Sequence, residues 1–163
     1  MKIQIFVTGG TFDKEYNELT EKLVFRDTHL GEMLKLGRCT LDIEVRTLML
    51  VDSLDMKTSD LKIILENCRA CKRDKIVITH GTGTMETTAR FLGENITNKT
   101  IVLTGAMIPY KYGSSDGLFN LGAAVGFVQS LPVGVYVTMN GKCFLWDNVH
   151  KNLKTGSFEK IKK

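Results

Sequence analysis

The sequence predicts an α/β fold: a doubly wound, mostly parallel sheet with helices on both faces. Three observations carry this expectation. Short, continuously apolar runs recur at 2–7, 75–79 and 100–104, as strands buried on both sides require. Stretches with helical spacing of apolar residues separate them. Glycine-rich polar segments follow the strands, where ligands bind in such sheets, beyond the carboxyl ends.

The elements follow in order. Residues 2–7 read as a buried strand and 22–36 as a helix, with Leu23, Leu30, Met33 and Leu34 as its apolar positions. Residues 41–49 read as a strand with Leu41, Ile43, Val45 and Thr47 on one face, and 60–71 as a helix capped by Thr58 or Ser59. A strand at 75–79, a helix at 84–93 and a strand at 100–104 come next. A helix at about 117–130 is capped by Ser115 or Asp116, and strands are expected at 133–138 and 141–147. No linker or repeat interrupts the pattern, so one domain over 1–163 is expected. A chain of this length buries about 70% of its unfolded surface.

Composition excludes several classes. Apolar residues make up 43% and charged residues 25% of the chain, as in ordinary globular domains rather than disordered ones. The net charge of +4 is spread along the chain, apart from a tail of Lys160, Lys162 and Lys163. It forms no basic stripe, so no nucleic-acid partner is expected. No apolar run approaches the length that spans a bilayer, and the first residues lack a signal-peptide pattern. The expectation is a cytoplasmic protein without membrane contact. Cys68 and Cys71 form C-x-x-C on an amphipathic helix with Leu61, Ile64 and Leu65, where cysteine acts as a small apolar residue. No second cysteine or histidine pair completes a metal site, and none is expected.

Four loops at the carboxyl ends concentrate small and hydroxylated residues. They are Thr8-Gly9-Gly10-Thr11, the stretch from Val51 to Met56, the stretch from His80 to Glu86, and Gly105 to Pro109 continued by Ser114 to Gly117. Glycines there allow close backbone approach to a ligand, exposed N–H groups can hold an oxyanion, and a threonine beside a base can act as nucleophile. Phosphate motifs fail: Gly81-Thr82-Gly83 lacks the third glycine of G-x-G-x-x-G. Gly113 to Gly117 matches G-x-S-x-G, followed by Asp147 and His150. The loop before it is too long for a nucleophile elbow, so Ser115 is read as a helix cap.

Taken together, these segments resemble the L-asparaginase family. Thr8 to Thr11 matches its T-G-G-T, His80 to Glu86 its H-G-T-D-T-M-E, and Thr104 to Pro109 with Ser115-Asp116-Gly117 and Asn120-Leu121 its G-A-M-R-P…S-x-D-G…N-L. The order and spacing agree, and the resemblance covers the family's N-terminal catalytic domain, with no C-terminal domain in this sequence. It implies hydrolysis of L-asparagine to L-aspartate and ammonia, with L-glutamine as a second substrate, no cofactor, and a homodimer or homotetramer. Thr11 maps to the nucleophile and Tyr16 to a tyrosine of the flexible loop. Thr82 maps to the threonine that positions water, and Lys151, with Lys154 as rival, to its lysine partner. Ser53 maps to the carboxylate-binding serine, and Gly10, Gly81, Gly83 and Ala106 to the substrate-contacting loops. Backbone N–H groups near Gly10 and Thr11 are expected to bind the oxyanion. Covalent attack by Thr11 and direct attack by water both remain open.

Gly83 departs from the pattern, since the family has an aspartate there that holds the substrate's α-amino group. Asp13, Glu15 and Asp52 are the candidate substitutes. An impaired or altered hydrolase follows from this departure, and so does a second reading, a non-catalytic amino-acid-binding or regulatory protein on the same fold.

Overall fold

The computed structural model describes residues 1–161; Lys162 and Lys163 of the basic tail lie outside it. Its central sheet has six strands. These are β1 (Lys2–Gly9), β4 (Asp42–Val51), β5 (Lys75–Thr79), β6 (Thr100–Thr104), β7 (Gly134–Met139) and β8 (Lys142–Leu145), in the order β4-β1-β5-β6-β7-β8. The first five run parallel and β8 closes the edge antiparallel to β7.

Alternating side chains feed two cores, one on each face. Ile3, Ile5 and Val7 of β1, Val77 and Val102 point to one face. There they meet Leu30 and Met33 of α1 (Leu30–Leu36) and Leu121, Ala124 and Val128 of α4 (Gly117–Ser130). Ile76, Ile78, Ile101, Leu103, Val135 and Val137 point to the other. That face is covered by Ile64, Leu65 and Cys68 of α2 (Thr58–Ala70) and Met85, Ala89 and Leu92 of α3 (Met85–Asn95). The expected doubly wound arrangement is therefore present. Cys68 is a core residue, and burial pushes its thiol up to about 12.

The helix expected at 22–36 is a correction. Residues Lys22–Phe25 form β3, paired antiparallel with β2 (Lys14–Asn17), and helix α1 begins only at Leu30. Buried Asp13 and half-buried Thr28 set that start. The Asp13 carboxylate accepts from the Thr28 hydroxyl (2.9 Å) and the His29 N–H (3.0 Å), and the Thr28 hydroxyl accepts from the Leu30 N–H (3.3 Å). Strand β4 is longer than expected and carries an irregularity: Val7 pairs with Thr47, but Gly9 pairs with Val51. Thr47 is exposed, and past it Leu48 and Met49 join one core while Leu50 joins the other. Helix α2 is capped neither by Thr58 nor by Ser59; Asp60 reaches back to accept from the Lys57 N–H at 2.8 Å. At α4 the N-cap position is Asp116, whose side chain makes no cap bond, while Ser115 just before it accepts from the Gly117 N–H at 2.9 Å. Two short strands unseen in the sequence, β9 (His150–Lys151) and β10 (Phe158–Glu159), pair antiparallel near the end of the chain. No helix among the described residues is long and apolar enough to cross a membrane.

Candidate active site

Strand order decides where the site forms. From β1 the chain runs to β4 on one side and then crosses to β5 on the other, so a crevice opens between the loops after β1 and β5. A cavity of about 180 Å³ lies there, lined by Thr11, Asp52, Ser53, Leu54, Gly81, Thr82, Gly83 and Lys151. Ligand pockets for drug-sized molecules run to about 300–1,000 Å³, so this one suits an amino-acid-sized molecule. A larger cleft of about 570 Å³ sits at the opposite, amino end of β1 and β4 and contains none of the motif residues.

Thr11 opens a single 3-10 turn, Thr11–Asp13, directly after β1. Gly10 precedes it at φ +81°, and a Cβ there would overlap the backbone of Gly81. Glycine is thus required for the two loops to touch. The Gly10 N–H donates to the Val51 carbonyl at 3.0 Å. The Gly10 N–H expected to face an oxyanion is thus already bonded within the fold.

Thr82 follows β5, and its hydroxyl accepts from the Lys151 ammonium at 2.8 Å while facing the Met107 sulfur at 3.5 Å. Burial pushes the Lys151 pKa down from the ordinary lysine value, and the Glu86 carboxylate pulls it partly back. Glu86 also fixes the lysine backbone, accepting from the Lys151 N–H at 2.7 Å. Lys154 lies exposed in the following turn, where Asn152 accepts from its backbone N–H. Lys151 is therefore the lysine brought to Thr82.

The loop carrying Thr82 is held from beneath by His80. The His80 imidazole is fully buried, with Nδ1 2.8 Å from the Gly81 carbonyl and Nε2 2.8 Å from the Thr88 hydroxyl. A carbonyl only accepts, so Nδ1 carries the proton and Nε2 accepts from Thr88. Burial drives the His80 pKa down to about 4, keeping the ring neutral. Thr84 ties the same loop to the next by donating to the Ser53 carbonyl at 2.8 Å. Ser53 itself is buried and its side chain abuts Gly81; a Cβ on Gly81 would stand 2.6 Å from the Ser53 Cβ.

Three expected site residues do not line the cavity: Gly10, which packs on Gly81, Tyr16 and Ala106. Tyr16 lies on β2 of the hairpin, half exposed, and is not among the residues that line it. Ala106 is packed in the core beside Gly117. Its loop is shaped instead by Asp116, which accepts from the N–H groups of Met107 (3.0 Å) and Ile108 (3.1 Å), and by Asn120, which donates to the Gly105 carbonyl at 2.9 Å. The S-x-D-G…N-L stretch was the signal for that pair.

Sequence reasoning missed Lys14, whose ammonium pairs with Asp52. That hydrogen bond, together with the Leu54 N–H, holds the Asp52 carboxyl below the usual carboxylate range. Asp52 and Lys14 thereby tie the hairpin to the loop after β4.

The structure is a doubly wound α/β domain with a Thr–Lys pair and a second threonine at its crevice. Comparison with known proteins identifies its family. The profile of the asparaginase N-terminal domain matches residues 2–162, and the chain belongs to the asparaginase family. It is 31% identical to the L-asparaginase of Thermococcus kodakarensis over 168 residues, covering 99% of this chain and 51% of that protein. A glutaminase-asparaginase of Pseudomonas fluorescens is 44% identical over 92 residues, 53% of this chain and 25% of the relative. The solved T. kodakarensis structure superposes with a TM-score of 0.86 at 29% identity, over 99% of this chain and 51% of its own. A probable cytoplasmic L-asparaginase of Campylobacter jejuni superposes with a TM-score of 0.82 at 32% identity, over 98% and 52%. The chain spans about half the length of the first of these relatives and of both structures.

Proposed function

We propose that the chain is an amidohydrolase that cleaves a terminal carboxamide, such as that of L-asparagine, with Thr11 as nucleophile. The supporting observation is the Lys151 ammonium on the Thr82 hydroxyl at 2.8 Å, in the same cavity as Thr11. Thr11 Oγ1 attacks the amide carbon, and its proton passes to the departing nitrogen, which leaves as ammonia. Water then attacks the resulting ester, one of its protons returns to Thr11, and the acid is released. Lys151 in its amine form takes the Thr82 proton, and Thr82 in turn activates that water. The Thr11 N–H faces the developing oxyanion. The Ser53 hydroxyl and the backbone at Gly81 and Gly83 receive the substrate carboxylate. Tyr16 reaches Thr11 only when the β2–β3 hairpin closes over bound substrate, which also excludes water. The route draws on no metal or organic cofactor.

A coupled assay of ammonia release from a carboxamide tests this reading. Wild type releases ammonia, while Thr11→Ala and Thr82→Ala lose roughly 10²- to 10⁴-fold in kcat with unchanged melting temperatures. Equal rates for wild type and Thr11→Ala would refute it. We further propose a homodimer or homotetramer in the cytoplasm; sedimentation of an active monomer would overturn the assembly.

A further inference from the structure

A charge carried by a ligand out of water must meet a partner or it costs affinity. The charge inventory of the Thr11 cavity is uneven. Among the described residues lining it, Asp52 is the sole carboxylate. It is already committed: one oxygen takes the Lys14 ammonium and the other accepts from the Leu54 N–H at 3.0 Å.

Three other acids lie on neighbouring segments. Asp13 is buried beneath the hairpin; its Oδ1 takes the Thr28 hydroxyl and the His29 N–H, and its Oδ2 is buried without a partner. Glu15 faces His29 Nε2 at 3.1 Å and Arg26 Nε at 3.9 Å. Glu86 accepts from the Lys151 backbone. None of the three lines the cavity.

The wall itself confirms the bias. Gly83 offers bare backbone, and a Cβ there would stand 2.8 Å from Leu54 Cδ2 and 3.1 Å from Ser53 Oγ. Leu54 thus occupies the space into which a side chain at 83 would grow. Leu54 is 75% exposed, an apolar residue lining a site that also includes Lys151. This arrangement welcomes an anion and a methylene group, and leaves an ammonium without a counter-charge.

We propose that the site selects a terminal carboxamide that carries a carboxylate but no α-ammonium group. The simplest such compound is succinamate, the monoamide of succinic acid. L-Asparagine differs from it only by the α-ammonium and is the poorer substrate. This inference rests on the amidohydrolase reading above and names the substrate class of that same site.

The test uses the full chain and two readouts. Initial rates of ammonia release are compared for succinamate and L-asparagine, and calorimetry compares binding of the products succinate and L-aspartate. The expected result is a kcat/KM for succinamate higher by about tenfold or more, with succinate bound more tightly than L-aspartate. Replacing Gly83→Asp together with Leu54→Ser supplies a carboxylate and the space for it, and reverses both preferences. Preference for L-asparagine, with L-aspartate bound more tightly, overturns the inference and leaves the Thr11 chemistry standing. No ammonia from either amide, with succinate still favoured, sinks the amidohydrolase reading while the ligand preference holds. No ammonia and no binding of either product overturns both. Because the binding comparison is made on the unaltered chain, a double variant that fails to fold does not remove the test.

Discussion

Replacing Lys151→Met separates a working lysine from a surface one. The side chain keeps its length and apolar stem but loses the ammonium that donates to Thr82 Oγ1 at 2.8 Å. A hydrogen bond to a charged group is worth about 1.5–3 kcal/mol. At about 1.4 kcal/mol per tenfold, that alone lowers the rate roughly 10- to 150-fold. If the amine also takes the Thr82 proton, the loss extends to roughly 10²- to 10⁴-fold. Stability should move the other way. Burial holds the Lys151 pKa below its ordinary value, so the folded state carries this charge less readily than the unfolded chain does. Stability from this group therefore rises with pH toward the unfolded pKa, and removing the charge does not lower the melting temperature at neutral pH. The pH profile adds a second check. The rate should rise as Lys151 loses its proton, and Glu86 is the group that pulls its pKa up. Glu86→Gln keeps an oxygen for the Lys151 N–H and moves the rising limb to lower pH. The assay is kcat against pH for wild type and both variants, with thermal melts alongside. A loss below tenfold in Lys151→Met, or a limb that moves upward in Glu86→Gln, refutes the assigned role.

Three further expectations concern the scaffold. His80 stays neutral down to about pH 4 when folded, while an unfolded histidine protonates near 6.5. The unfolded state thus binds more protons in that window, and stability falls by about 3 kcal/mol as pH drops through it; melts of His80→Gln should show a shallower acid slope, and equal slopes would contradict this. Gly93→Ala drives a methyl into the Trp146 ring and costs about 1–3 kcal/mol by overpacking, visible as a lower denaturation midpoint and a shifted emission of the chain's one tryptophan. Gly10→Ala must both adopt φ +81° and overlap the Gly81 backbone, so it should cost roughly 1–3 kcal/mol from strain alone and abolish activity; a variant with wild-type stability would show that the two loops need not touch.

How legible the molecule was depended on whether the physics was local. Strands β5 and β6 were readable to the residue, because each is an unbroken apolar run ending at a polar turn. The segment at 22–36 misled, since Leu23, Leu30, Met33 and Leu34 satisfy a helical period. What overrides it is long-range: Val24 and Phe25 pair with Glu15 and Lys14, and Asp13 fixes the helix start from fifteen and sixteen residues away. That Thr11, Thr82 and Ser53 would lie close together was readable because each sits in a contiguous motif at a strand end. Lys151 could not be chosen over Lys154 from sequence, because the choice depends on Glu86, 65 residues earlier, gripping its backbone. The Lys14–Asp52 pair spans 38 residues and left no motif at all.

The glycines of the motifs acquire a different meaning from the one their composition suggested. A glycine-rich turn after a strand invites an anion-binding reading, with N–H groups free for a ligand. Here Gly10 uses its N–H on Val51 and its missing side chain on Gly81. Gly81 in turn is bare because Ser53 presses against it. With β1 lying between β4 and β5, three loops end side by side, and only backbone stripped of Cβ atoms lets them close up. That closeness is what puts Thr11, Ser53 and Thr82, from three separate strands, around one cavity of about 180 Å³. The glycines at 10 and 81 build the cavity by permitting contact between loops, whatever part the backbone also takes in binding.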